Sequence, residues 1–212
     1  MEYYSIDEIR KIEQEAIRKG MTEEKMMDTA GHLIADFIVK NLQSKKVVFV
    51  GGTGNNGGDT FSAAFHLFNL NYPNLEVIVA GKPNELKEGP NNFLHLITDI
   101  KTIPVKFVLG PDDLIKIKED ILTADLLVVG IFGTGFHGDL PDLTAELIDL
   151  INSSTAKKIS VDIPSGMNGD TGEFKKVVKS DFTLTMLAMK KAFQSDIVSP
   201  ICGKISVLDL LN

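Results

Sequence analysis

Only one cysteine, Cys202, occurs in 212 residues, so no disulfide can form within the chain. A reducing compartment fits such a sequence. Positive charge is also scarce: 22 Lys and Arg against 29 Asp and Glu leave a formal net charge of −7. That balance argues against nucleic acid as a partner, because nucleic acid is gripped through broad positive fields. It leaves room for a local cationic pocket around a small phosphate ligand. The N-terminal Met1-Glu2-Tyr3-Tyr4 lacks the basic-then-apolar character of a signal peptide. No apolar run approaches the roughly 20 residues a membrane span needs. No linker, low-complexity tract or internal repeat divides the chain. The expectation is a soluble, cytoplasmic protein with no membrane or nucleic-acid partner, folded as one domain over 1–212.

Two helices come first. Ser5 and Glu8 form a capping box, followed by Ile6, Ile9, Ile12 and Ala16 at helical spacing. Thr22 caps a second helix, with Met26, Ala30, Leu33, Ile34, Phe37 and Ile38 on one face. Short, continuous apolar runs then recur at 47–50, 77–80, 105–108, 126–129 and 159–161, as expected of parallel strands buried on both faces. Helical stretches lie between them at about 60–71, 84–99, 111–123 and 142–152, and 182–187 and 205–208 read as closing strands. Alternating strands and helices predict a doubly wound α/β fold with a mostly parallel sheet.

Three glycine-bearing loops fall after strands of this pattern. The first, Gly51-Gly52-Thr53-Gly54-Asn55-Asn56-Gly57-Gly58-Asp59-Thr60, joins a strand to a helix. Backbone N–H groups and a helix N-terminus can hold phosphate there, with glycines for close approach and positive φ. The plainer reading is a tight turn without a ligand. Gly52 to Gly57 fits G-x-G-x-x-G, but the next strand ends Ala80-Gly81-Lys82, without the acidic residue of a dinucleotide fingerprint. A Walker loop fails too, because Gly58-Asp59-Thr60 replaces Gly-Lys-Ser/Thr. Asp59, a poor neighbour for phosphate, reads as an N-cap carboxylate.

The second loop, Gly130-Ile131-Phe132-Gly133-Thr134-Gly135-Phe136-His137-Gly138, carries a histidine that could face a ligand but reads more simply as a surface residue. His32, His66 and His95 are scattered and form no metal or catalytic pair. In the third, Asp162 closes a strand before Ile163-Pro164-Ser165-Gly166. Open α/β sheets bind ligands at that edge, so Asp162 is a candidate acid or base, or else a turn-capping carboxylate.

Taken in order, these segments resemble the NAD(P)H-hydrate epimerase family, also called the YjeF N-terminal domain. The most specific are Gly54-Asn55-Asn56-Gly57-Gly58-Asp59 and Val161-Asp162-Ile163-Pro164-Ser165-Gly166. Ile131-Phe132-Gly133-Thr134-Gly135, Asp28-Thr29-Ala30-Gly31 and Thr183-Leu184-Thr185 followed by Lys190 fit the same family. The resemblance implies a Rossmann-like, three-layer αβα domain that epimerises hydrated NADH and NADPH (NADHX and NADPHX), so that a separate dehydratase can repair the S form. It implies a homodimer, with no fused dehydratase expected in a chain closing at Asn212. It also implies that Asn55, Asn56, Gly57, Gly58 and Asp59 line the hydrate site with Gly133, Thr134, Gly135, Phe136, His137, Gly138 and Asp139, and that Asp162 touches the substrate. A potassium ion would contact Asn56, Ser165 and an aspartate at the end of the fourth strand.

The sequence departs from that pattern in three places. Val128-Val129-Gly130 stands for Val-Asp-Ala, which puts Val129 where the cation's aspartate is expected. Asp59-Thr60 stands for Asp-Gly, and a basic residue near 137 is a histidine. The chemistry expected is expulsion of a hydroxyl by the adjacent ring nitrogen, with Asp162 giving and taking the proton. The rival readings are a nucleotide-binding module without turnover, favoured by Val129, and an interaction scaffold like a eukaryotic branch of this fold in mRNA decapping.

Overall fold

Continuous apolar runs make strands where both faces of a sheet are covered, because no side chain then has to meet water. The computed structural model describes residues 2–211 and follows that logic. In chain order it contains β1 (Tyr3–Tyr4), α1 (Ile6–Arg18), α2 (Glu23–Asn41), β2 (Val47–Gly51), α3 (Asn55–Asn69), β3 (Leu75–Ala80), α4 (Glu88–Ile100) and β4 (Val105–Val108). After these come α5 (Pro111–Leu122), β5 (Leu126–Gly130), α6 (Asp142–Ser153), β6 (Lys157–Val161), β7 (Phe182–Met186), β8 (Met189–Lys190), α7 (Ser199–Cys202) and β9 (Lys204–Leu208).

Both N-terminal caps form. The Glu8 N–H donates to Ser5 Oγ at 3.3 Å while the Ser5 N–H donates to the Glu8 carboxylate at 2.7 Å, and the Lys25 N–H donates to Thr22 Oγ1 at 3.0 Å. Seven strands make one sheet in the order β4-β3-β2-β5-β6-β7-β9, with every pair parallel. Side chains alternate across it. Val47 and Phe49 join the core beneath α2, α3 and α4, and Val48 and Val50 join the core beneath α5 and α6. The result is a three-layer, doubly wound fold. The strand order reverses between β2 and β5, and this is where such sheets open a ligand crevice.

Three elements depart from the sequence expectation. Helix α3 starts at Asn55, not near 60, with Gly54 as its N-cap. Its glycines allow close packing within a helix. A Cβ on Gly57 would lie 1.9 Å from the Gly52 carbonyl oxygen, and one on Gly58 would lie 2.4 Å from Met27 Sδ. Gly57 therefore needs the space, not positive φ. The stretch expected as one helix from 84 begins with a 3-10 turn at Pro83–Glu85 before α4. A two-stranded parallel pair, β1 with β8, sits apart from the main sheet and matches Tyr4 to Lys190. Among the described residues, no helix is long and apolar enough to cross a membrane.

Candidate active site

A cleft of roughly 620 Å³ opens at the carboxyl edge of β2, β5, β6 and β7. The loops after β2 and β5 form its sides because their strands are neighbours at the reversal point. It is lined by Asn55, Asn56 and Asp59 from the start of α3, and by Gly133, Thr134, Gly135, Phe136 and His137 from the loop after β5. Asp162, Lys190 and Glu13 line the same cleft. Gly54 and Asn55, at the N-terminus of α3, line it too, and the unpaired N–H groups of a helix's first turn suit a diphosphate. Phe136 stacks on Phe132 with ring centroids 4.8 Å apart, which offers a flat apolar surface.

Asp162 is held in the left-handed region at φ +67°, a conformation aspartate tolerates better than most residues. Its backbone N–H donates to the Leu184 carbonyl at 2.8 Å, which fixes the turn against β7. One carboxylate oxygen lies 2.5 Å from Lys190 Nζ and accepts from the Met186 N–H at 3.4 Å. The other accepts from the Thr134 N–H at 3.3 Å. Asp162 therefore caps its neighbours, as the turn-capping reading expects, and faces the cleft as well. Lys190 is fully buried and also donates to the Met186 carbonyl at 2.7 Å. A carboxylate clamped this way suits accepting a proton, or facing a positive charge, better than donating one.

Asn56 ties the loops together. Its Nδ2 donates to the Phe132 carbonyl at 2.9 Å and to the Val161 carbonyl at 3.1 Å. Ser165 Oγ donates to the Phe132 carbonyl at 3.0 Å and accepts from the Phe132 N–H at 3.0 Å. The donor set implied for potassium does not fit these residues. Val129 is fully buried in the apolar core under α5 and α6 and brings no oxygen. The Ser165 hydroxyl is already satisfied, and the two carbonyls are held by Asn56 Nδ2. Of the groups named here, Asn56 Oδ1 is buried without a hydrogen-bond partner among the described residues. Hard cations need several oxygen ligands.

Two of the departures compensate for each other in space. A Cβ on Gly130 would lie 2.0 Å from Thr60 Oγ1. The same Cβ would lie 2.6 Å from the Asn56 carbonyl oxygen, to which Thr60 Oγ1 donates at 2.8 Å, so Thr60 fills part of the room that an alanine at 130 would need.

Some expectations need correction. Asp59 is not an N-cap, because five residues of helix precede or include it and the cap is Gly54. Instead its side chain enters the cleft. Gly57 and Gly58 are buried beneath the cleft and do not line it, and Ser165 is buried too. Gly138 and Asp139 are exposed outside it, with Asp139 paired to Lys175 at 2.6 Å. His32 and His66 are not scattered. Their rings meet at 5.4 Å, and His66 Nε2 lies 2.8 Å from the Asp28 carboxylate. No group of three or more His, Cys, Asp or Glu among the described residues is placed to hold a metal ion. Cys202 is buried, and burial pushes its thiol up to about 12, so it is unreactive. Sequence reasoning missed Glu13, which reaches the cleft only because α1 docks there. The Ile6 N–H at the start of that helix donates to the Asp170 carboxylate at 2.8 Å.

The family described as YjeF-related protein N-terminus matches residues 23–192. The chain belongs to this family. Its YjeF-type fold agrees with the crystal structure of yeast ynu0, which superposes with a TM-score of 0.78 at 21% identity over 92% of this chain and 84% of that one. An NAD(P)H-hydrate epimerase from Nitrosopumilus maritimus is 32% identical over 88% of this chain and 86% of its own length. A bifunctional NAD(P)H-hydrate repair enzyme from Archaeoglobus fulgidus is 28% identical over 99% of this chain, which spans 42% of that enzyme. Helix α1, with Glu13, precedes the residues matched to the YjeF family.

Proposed function

We propose that this YjeF-family cleft binds hydrated NADH or NADPH and interconverts its R and S epimers. The observation that carries the reading is the Asp162–Lys190 ion pair facing the same cleft as the N-terminus of α3. The pair supplies fixed charge for the reacting ring, and the helix end supplies N–H groups for the diphosphate. The names of the relatives support the same chemistry, and they favour it over a binding module or a scaffold.

In the hydrate, the hydroxyl sits on a carbon bonded to the ring nitrogen. The nitrogen lone pair expels it and leaves an iminium ion, and water then adds back to either face. The site must hold the ring still, manage one proton and tolerate a passing positive charge. Phe132 and Phe136 offer a surface for the ring. Asp162 faces the positive charge. No nucleophile is required. The same proposal includes a cytoplasmic homodimer that passes the S form to a separate dehydratase.

The test is incubation of the purified protein with R-NADHX, followed by separation of the epimers. The expected outcome is approach to an R/S mixture faster than the spontaneous rate. Nucleotide binding with no acceleration would leave a binding module and sink the epimerase reading. Light scattering during gel filtration decides the homodimer.

A further inference from the structure

The cleft carries more carboxylates than its one buried lysine can neutralise. Asp162 takes Lys190, at 2.5 Å. Asp59 from α3 and Glu13 from α1 line the same cleft, and neither makes a hydrogen bond or an ion pair among the described residues. We propose that Asp59 is the proton donor of this site, giving its carboxylic proton to the departing ring hydroxyl while Asp162, clamped by Lys190, remains the carboxylate that faces the iminium ion. This rests on the epimerase reading and divides between two residues the work that the sequence alone assigns to Asp162.

The argument is one of geometry and charge. Four carboxylates line the cleft, Glu13, Glu23, Asp59 and Asp162, with Lys190 its one buried ammonium; they cannot all ionise cheaply, and the proton settles on a buried group with no cation of its own. Burial acts first on Asp59 and holds its carboxyl well above the usual carboxylate range. The facing Asp162 and Glu13 add to this, and Lys190 opposes it. Glu13 is raised as well, by burial first and then by Asp162, while Lys190 and Arg10 pull it down and Glu23 pushes it up. Arg10, Glu23, Lys87 and His137 also line the cleft; the charges that act on Asp59 are those of Asp162, Glu13 and Lys190. A neutral acid is also the form of Asp59 that tolerates a nearby diphosphate.

The proton count closes. Asp59 transfers its proton to the ring hydroxyl, the carbon–oxygen bond breaks, the ring nitrogen lone pair forms the iminium bond, and water leaves. Asp59 is then a carboxylate. Water adds to the other face of the iminium ion and loses one proton to the carboxylates of the cleft. They hold one proton before and after turnover. Nothing is oxidised or reduced.

The experiment compares the full chain with Asp59→Asn. The amide keeps the size of the side chain but cannot donate an acidic proton. R-NADHX turnover in the variant should fall by on the order of 100-fold or more, with KM changed less than about threefold. The parent's kcat should decline as pH rises through the Asp59 titration, and that limb should be missing in the variant. A second measurement needs no turnover: the parent at pH 7 should show an infrared carbonyl band of a protonated carboxyl that Asp59→Asn removes. Thermal unfolding checks the fold, and the variant should melt no lower than the parent at pH 8. A parent that leaves R-NADHX unchanged overturns the epimerase reading, and the infrared band still decides Asp59. Absence of that band overturns the proposal, and so does an Asp59→Asn variant that keeps the parent's rate.

Discussion

Asp162 is anchored by its own backbone, by two loop N–H groups and by Lys190, so its substitution acts on the fold as well as on chemistry. A free loop carboxylate could be exchanged for an amide at no structural cost. Here Asp162→Asn strands a fully buried ammonium whose remaining acceptor is the Met186 carbonyl. The expected loss is on the order of 3 kcal/mol in chemical denaturation, together with strongly reduced epimerisation. Replacing both partners, as in Asp162→Asn with Lys190→Met, should recover most of the stability and none of the activity. Equal instability of the single and double variants would mean that the pair is not what holds the turn. The contact between Gly130 and Thr60 makes a second residue-scale case. Gly130→Ala should cost more stability in the parent than in a Thr60→Gly background, because the added methyl meets Thr60 Oγ1. A double-mutant cycle measures this coupling, and additivity within about 0.5 kcal/mol would dismiss the compensation.

Helix α3 shows how an element can hide behind its composition. Asparagines and glycines from 54 to 58 read as a loop, yet the helix begins among them, because its first turn packs backbone against the Gly52 strand end. Gly57→Ala places a methyl 1.9 Å from the Gly52 carbonyl oxygen, which must push the helix start outward. We expect a loss on the order of 2 kcal/mol and weaker binding of an NADP-like ligand by calorimetry. Unchanged affinity in the folded variant would make the loop a turn without a ligand role. The strands of the main sheet and helices α1, α2, α5 and α6 were legible because their periodicity is local, whereas the four-residue α7 was too short to show one. The β1–β8 pair was not, because two residues carry no pattern and its partners stand 186 positions apart in the register Tyr3 to Met189. The segments bearing Asp59 and Asp162 were legible as candidate site segments, but the proposed partition of roles was not. It depends on which carboxylate Lys190 reaches and on where α1 docks Glu13, and neither is a property of spacing.

Cation dependence is read most directly from the stability of the whole molecule. A ligand that binds only the folded state raises its stability by about 2.7 kcal/mol at a concentration 100 times its dissociation constant. Where the family resemblance implies a cation's carboxylate this chain carries the buried Val129, and the Asn56 amide donates to the Phe132 and Val161 carbonyls. This amide ties Phe132, in the loop after β5, to Val161 at the end of β6. Thermal unfolding of the parent should therefore give the same midpoint in potassium chloride and in tetramethylammonium chloride at equal ionic strength, with and without an NADP-like ligand. Val129→Asp should behave differently. It puts a carboxylate into the apolar core and should lower the midpoint sharply in tetramethylammonium. A pair of opposite charges about 4 Å apart attracts by roughly 4 kcal/mol at an effective dielectric near 20, so potassium drawn in beside Asn56 Oδ1 should restore part of that loss. Nucleotide affinity of the variant should then respond to potassium as well. A saturable potassium-induced rise in the parent's own midpoint is the result that defeats this account, because it would require the backbone carbonyls to leave Asn56 and take the ion.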